Sequence, residues 1–341
     1  MGGSELPPTW TEDRAKITRL EDFRHTVSTS LVHLDTDLGS DTDDLCALAM
    51  LLGWPGTEVS GVTTNTDPGG RRAGMTAYAL RLAGRGDVPL RAGAEGTLAE
   101  PMVPFAFPDY WPEPVEPCPS PPGEALELLA ASAAAGATVV AVGPYTNLAM
   151  LEALRPGLLA AAGVVIMGGH VTAAPEGLPP ARPEDDFNLQ QDHLAARIVL
   201  ERCAPLVVPL AVTVQVTLRA SHLPRLRAAG PLGALLADQG QAHARDNRTT
   251  ELGRSWPGLP DDLLNFHHDP LACAVALGWE GVTVEEVPTQ LEVRDGRLRM
   301  TPREGAPPLR VVTAVDGPAF EETWLAAVER AAAAAPPLTR P

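Results

Sequence analysis

Lysine is almost absent: Lys16 is the only one in 341 residues, and Lys plus Arg total 26 against 43 acidic residues, a formal net charge of −17. No Lys/Arg cluster interrupts that balance, which argues against a nucleic-acid backbone or an anionic membrane surface as partner and favours a small or neutral ligand. Cysteine is scarce too. Cys46, Cys118, Cys203 and Cys273 stand far apart with no CxxC pair, the pattern of reduced packing thiols rather than disulfides or zinc ligands. No apolar run approaches the roughly 18 residues of a membrane span, and residues 1–16 lack the apolar core of a signal peptide. A cytoplasmic protein is expected.

What is present is an alternation. Apolar β-rich runs at 27–34, 58–64, 137–142, 163–167 and 206–212 are separated by Ala/Leu-rich segments at 45–52, 72–83, 123–135, 146–154 and 192–201, the last preceded by Asp192 as a cap. Strands alternating with helices predict a doubly wound, mostly parallel open α/β sheet covered on both faces. Residues 1–26 read as a polar N-terminal extension and 27–335 as a single α/β domain. Two stretches break the pattern. Residues 101–122 are proline-rich with Phe105, Phe107, Tyr110 and Trp111, fitting either a lid or a stiff crossover. Residues 244–266 mix charge with Trp256 and Gly/Pro breaks.

The strongest signal is LVHLDTDLGSDTDDLCALAMLL, residues 31–52, where Asp35, Asp37, Asp41, Asp43 and Asp44 crowd the turn between a strand and a helix. Capping and the helix dipole account for one or two aspartates at the helix start, but not for Asp35 and Asp37 at the end of the strand. Carboxylates held this close raise one another's pKa or recruit a cation, and oxygen-only ligands suit Ca²⁺ or Mg²⁺. An EF-hand is excluded by register, since the twelfth position counted from Asp35 is Cys46. In a doubly wound sheet this turn lies at the carboxyl edge, where ligands bind. Other strands end there as well: 58–64 at Asn65, 137–142 at Gly143 to Asn147, and 163–167 at Met167-Gly168-Gly169. Asp186-Phe187-Asn188 can aim an acid and an amide at a diol, and His268-Asp269-Pro270 opens a further helix.

In that order, DxDxG with Asp43-Asp44, GPYTN, MGG, DFN and HDP resemble the motifs of the inosine-uridine preferring nucleoside hydrolase family across residues 30 to about 320. The resemblance implies hydrolysis of the N-glycosidic bond of ribonucleosides with one bound Ca²⁺, in a homodimer or homotetramer. It implies that Asp37, Asp44, Asp269 and the Thr146 carbonyl hold the metal, with Asp37 also the general base for the attacking water. It further implies that Asp43, Asn65, Met167, Asp186 and Asn188 line the ribose and that His268 assists the departing base. The sequence departs from the family pattern at Leu38, which replaces a proline, and in an aspartate turn two residues longer than the common form, so either Asp41 or Asp43 is placed to hold the ribose. Asp186 replaces a glutamate, no asparagine stands in 178–184, and no histidine stands in 85–122.

Two other readings share these residues. Asp35-Thr36-Asp37 after a strand also resembles the nucleophile motif of a HAD-like phosphohydrolase with Asp261-Asp262 as later acids, although that chemistry wants a positioned lysine. A catalytically silent nucleoside or ribose binder on the same fold is the non-enzymatic alternative.

Overall fold

The computed structural model describes residues 29–104, 107, 108 and 110–333; the expected extension 1–26, the first residues of the 27–34 strand and Phe105 lie outside the described residues. The strands are β1 (Ser30–Thr36), β2 (Thr57–Thr64), β3 (Leu90–Ala92), β4 (Thr138–Ala141), β5 (Val164–Met167), β6 (Leu206–Val208), β7 (Thr217–Arg219), β8 (Leu263–Phe266), β9 (Val282–Arg294), β10 (Arg297–Pro302) and β11 (Pro308–Val315). A nine-stranded sheet runs in the order β10-β9-β11-β6-β5-β4-β1-β2-β3, while β7 and β8 pair separately. From β3 through β11 the neighbours in this sheet are parallel, and β9 pairs antiparallel with β11 on one side and β10 on the other. The mostly parallel sheet expected from the sequence is therefore present, with an antiparallel hairpin added at one edge.

The parallel strands are short and apolar because helices cover both of their faces. Val32, Leu34, Val140 and Val165 are buried in the sheet, and Leu45, Leu48 and Leu51 pack on it from the helix Asp43–Gly53. Each such leucine contributes about 1.5–3 kcal/mol by leaving water. His33 sits in this core without charge: its ring nitrogens face Ser132 Oγ at 2.9 Å and Thr63 Oγ1 at 3.0 Å, and burial pushes its pKa down to about 3.

After β1 the chain builds β2 and β3 on one side, then crosses back to place β4, β5 and β6 on the other. The loops leaving β1 and β4 diverge at that reversal and open a crevice at the carboxyl edge. Helices 146–154 and 192–201 fall close to their expected places, at Thr146–Leu154 and His193–Arg202, and Asp192 accepts from Ala195 N at 3.1 Å as a cap.

The expected strand 206–212 is corrected. Only Leu206–Val208 is extended, and Leu210–Thr213 is a helical turn. Pro209 has no N–H for a sheet ladder, and its carbonyl instead accepts from Val212 N and Thr213 N at 3.0 and 3.1 Å. Residues 244–266 also resolve into regular structure: the end of the helix Pro231–Asn247, the helix Thr249–Ser255 and β8. At the outer edge of the sheet, Gln190 exchanges two hydrogen bonds with the Leu298 backbone, and His170 Nε2 accepts from Met300 N at 3.0 Å.

Candidate active site

Asp35 and Asp37 leave β1 in opposite roles. Asp35 is fully buried and accepts from Thr63 Oγ1 at 2.5 Å, Asn65 Nδ2 at 2.8 Å and Asn147 Nδ2 at 2.7 Å. Burial raises its pKa to about 6 against those donors, and it functions as a tie between β1, β2 and the helix after β4. Asp37 faces a cavity of about 650 Å³ at the crevice. Its neighbour across the gap must be glycine, since a Cβ on Gly143 would lie 2.7 Å from Asp37 Oδ1 and 2.9 Å from the Asn65 amide. Gly39, at φ +117°, lets the turn press against Met75.

The turn then delivers Asp43 and Asp44 to the first turn of the helix Asp43–Gly53, where the helix dipole favours negative charge. Thr36 Oγ1 donates to Asp44 Oδ1 and fixes that side chain. Across the cavity Asp269 stands in the first turn of the helix His268–Ala276. Carboxylate oxygens of Asp43, Asp44 and Asp269 lie within 4.8 Å of one another, all buried. Burial first and then repulsion from neighbouring carboxylates raise all three well above the usual range: Asp41, Asp44 and Asp37 act on Asp43, Asp37 and Asp41 on Asp44, and Asp43, Asp44 and Asp37 on Asp269. Three buried like charges with an all-oxygen donor set fit a hard divalent cation, which would relieve the repulsion. Asp37 is not in the 4.8 Å group and has the Arg72 guanidinium 3.7 Å from its Oδ2.

Asp41 takes a different position. Its Oδ1 accepts from Asn265 Nδ2 at 2.6 Å and lies 3.7 Å from His243 Nδ1. Burial alone would raise its pKa, yet His243, Asn265 and His268 hold the carboxyl below the usual value. Of the two candidates for the sugar, Asp43 thus groups with the metal-type carboxylates and Asp41 with the two histidines. His268 lines the cavity with Nδ1 at 2.7 Å from Thr213 Oγ1, and burial pushes its pKa down to about 4 although Asp41 pulls it up.

Met167, Asp186 and Asn188 line another wall. The Asn188 amide nitrogen donates to the carbonyls of Val142 at 2.8 Å and Met167 at 3.1 Å, which leaves its oxygen to accept from a ligand. Asp186 accepts from Leu189 N at 3.0 Å and Gly169 N at 2.5 Å, and burial raises its pKa to about 6. Asn65 and Thr146 are not among the cavity-lining residues: the Asn65 amide donates to Asp35, and the Thr146 hydroxyl donates to Asp192 at 2.7 Å.

The remaining wall holds Phe107, Tyr110, Leu210, His243 and Asn247. Phe107 and Tyr110 come from the proline-rich stretch, which therefore contributes to the site. His243 and Asn247 went unread in the sequence. They are four residues apart and so share one helix face, the one available signal, and it points inward only once the helix is docked.

The model of the family described as inosine-uridine preferring nucleoside hydrolase matches residues 32–322. The chain belongs to this family. As a nucleoside hydrolase it is a hydrolytic enzyme whose family chemistry is cleavage of the ribonucleoside N-glycosidic bond. It is 32% identical over 230 residues, 60% of this chain and 68% of the relative, to a pyrimidine-specific ribonucleoside hydrolase, RihA, of Salmonella paratyphi A. In fold it is similar to a purine-preferring ribonucleoside hydrolase from Gardnerella vaginalis (TM-score 0.69, 23% identity, 89% of this chain and 99% of that one). It is also similar to an inosine-uridine preferring nucleoside hydrolase from Bacillus anthracis (TM-score 0.64, 18% identity, 88% and 99%). The HAD-like reading falls with these matches, and its later acid Asp262 is turned to Arg219 at 2.8 Å, outside the cavity lining. No helix among the described residues is long and apolar enough to cross a membrane.

Proposed function

We propose that this nucleoside hydrolase releases free base and ribose from ribonucleosides in a Ca²⁺-dependent reaction, with Asp37 as general base and His268 assisting the leaving base. The observation that carries this reading is the group of buried carboxylates Asp43, Asp44 and Asp269 beside Asp37, with only a cavity between them and a ligand. Asp37, Asp43, Asp44 and Asp269 would hold the cation. A bound hard cation supplies charge that lowers the pKa of water, though less strongly than zinc, so a carboxylate base remains necessary.

Asp37 accepts the proton of the attacking water at its carboxylate. The surrounding negative charge favours the positive charge that develops on the sugar as the glycosidic bond breaks. Asn188, Asp186 and the Met167 region hold the ribose hydroxyls, the Asn188 oxygen as acceptor. Thr213 occupies Nδ1 of His268, which leaves Nε2 to pass a proton to the base. The wall of Phe107, Tyr110, His243 and Asn247 is left for the base itself.

A reducing-sugar assay over purine and pyrimidine ribonucleosides, with chromatography of the same samples for free base, tests the reading. Ribose and base appearing together in a Ca²⁺-dependent manner are expected. Calorimetric binding of a ribonucleoside without base release over a long incubation would establish the silent binder instead.

A further inference from the structure

Arg72 is a charged side chain beside this site whose chemistry the reaction above leaves unused. It is a fully buried guanidinium in the helix Arg71–Leu82, next to the aspartate turn of a strongly acidic chain. Its backbone N–H is anchored first, donating to Asp67 Oδ1 at 2.7 Å. The side chain then reaches in two directions. Nε donates to the Thr66 carbonyl at 2.9 Å, just past β2, while Nη1 donates to the Asp37 carbonyl and to Ser40 Oγ at 2.9 Å, across the turn after β1. Nη2 has no hydrogen-bond partner among the described residues and lies 3.7 Å from Asp37 Oδ2. The Phe107 ring, a cavity-lining group, covers the guanidinium at 5.0 Å and the neighbouring Arg71 at 4.1 Å.

We propose that Arg72 is a positioning residue for Asp37: its planar fork bonds the Asp37 backbone carbonyl through Nη1 and sets the charge of Nη2 beside the Asp37 carboxylate, holding that carboxylate toward the cation site and the attacking water. A buried Nη2–H without an acceptor is costly, and among the described residues the anion within ion-pair reach is Asp37 Oδ2, so the guanidinium biases the direction in which that carboxylate rests. Only arginine has the donors to do this. A lysine ammonium keeps the charge, but it cannot bond Thr66, Ser40 and the Asp37 carbonyl from one rigid plane while also facing the Asp37 carboxylate. A merely structural staple between β2 and the turn would need Nε and Nη1 and would leave Nη2 no task.

This inference rests on the reading of Asp37 given above, and Arg72→Lys separates the two because it alters geometry at constant charge. Ca²⁺ affinity of the substrate-free protein is measured by calorimetry, kcat and KM at saturating Ca²⁺, and the melting temperature alongside. Loss of an outer partner of a metal ligand costs about 10–100-fold in affinity or rate. Ca²⁺ binding weaker by about tenfold and kcat lower by about 10–100-fold, with KM within about threefold of the parent, are the results expected. Unchanged Ca²⁺ affinity and kcat in a folded Arg72→Lys protein, with only the melting temperature lowered, would overturn the proposal. Should Arg72→Lys not fold, Ser40→Ala removes one contact of the fork; a shift of about threefold in the same two quantities supports the proposal and no shift in either overturns it. A parent protein that binds Ca²⁺ yet releases no ribose would sink the hydrolytic reading, while the Ca²⁺ affinity of the variants would still decide the role of Arg72.

Discussion

Buried carboxylates meet two different fates at the carboxyl edge beyond β1. Asp35 is met by three side-chain donors, from Thr63, Asn65 and Asn147, all supplied by the protein. Asp43, Asp44 and Asp269 face one another, and each is raised by the charge of its neighbours. A buried anion with its own donors is part of the scaffold. Buried carboxylates turned on each other are relieved only by taking up protons or a cation, and that is the difference between a tie and a candidate site.

Substitutions on the two sides should separate these roles. The largest effect is expected from Asp37→Asn, with kcat lowered by about 10²–10⁴-fold while the melting curve stays near the parent's; turnover retained in that folded variant would refute the assigned base. His268→Ala should lower kcat by about 10²-fold on natural nucleosides, and much less on a riboside whose leaving group departs as a stable anion. Equal losses on both substrates would remove His268 from the proton path.

Cation binding sharpens the contrast through stability. Ca²⁺ at a hundred times its dissociation constant should stabilise the fold by about 2.7 kcal/mol in denaturant titrations, and chelation should abolish that increment together with turnover. In Asp35→Asn the increment should persist, because that residue bonds protein donors and not the cation. The variant itself should lose about 1–3 kcal/mol, since its new amide sets a donor against the amides of Asn65 and Asn147. If Ca²⁺ no longer stabilised Asp35→Asn, the division drawn here would fail.

The smallest expected effect lies in pH. Burial raises Asp35 to about 6 in the fold from an ordinary value of 3.8, so its contribution favours the fold below 3.8 and is lost as pH rises through 6. His33 runs the other way: depressed to about 3 from 6.5, it supports the fold fully above 6.5 and loses that support as pH falls. Stability profiles of Asp35→Asn and His33→Gln should therefore diverge from the parent with opposite slopes between pH 4 and 6. Parallel slopes would show that neither group titrates as its burial dictates.

Much of this was legible in the sequence because it is local. The aspartate turn, the strand-end asparagines and the HDP helix start each announce themselves within ten residues, and the alternation of strands and helices places them on one edge. What the sequence hid depends on docking. Arg72 reads as one basic residue in a helix until its burial shows what it grips, and His243 and Asn247 are a face without a partner until their helix is laid beside Asp41. Pro209 was readable as a strand breaker, yet the apolar run around it masked the turn. The resemblance placed Asn65 at the sugar, but its amide is directed by a contact to Asp35, made across two strands, that no spacing encodes.

The caps on β10 have a consequence for how copies of this chain can meet. A free strand at a sheet margin is a template on which another chain can crystallise its own backbone, extending one sheet through two molecules. Gln190 and His170 occupy the Leu298 and Met300 positions of that template, so lateral stitching there would first have to unseat both side chains.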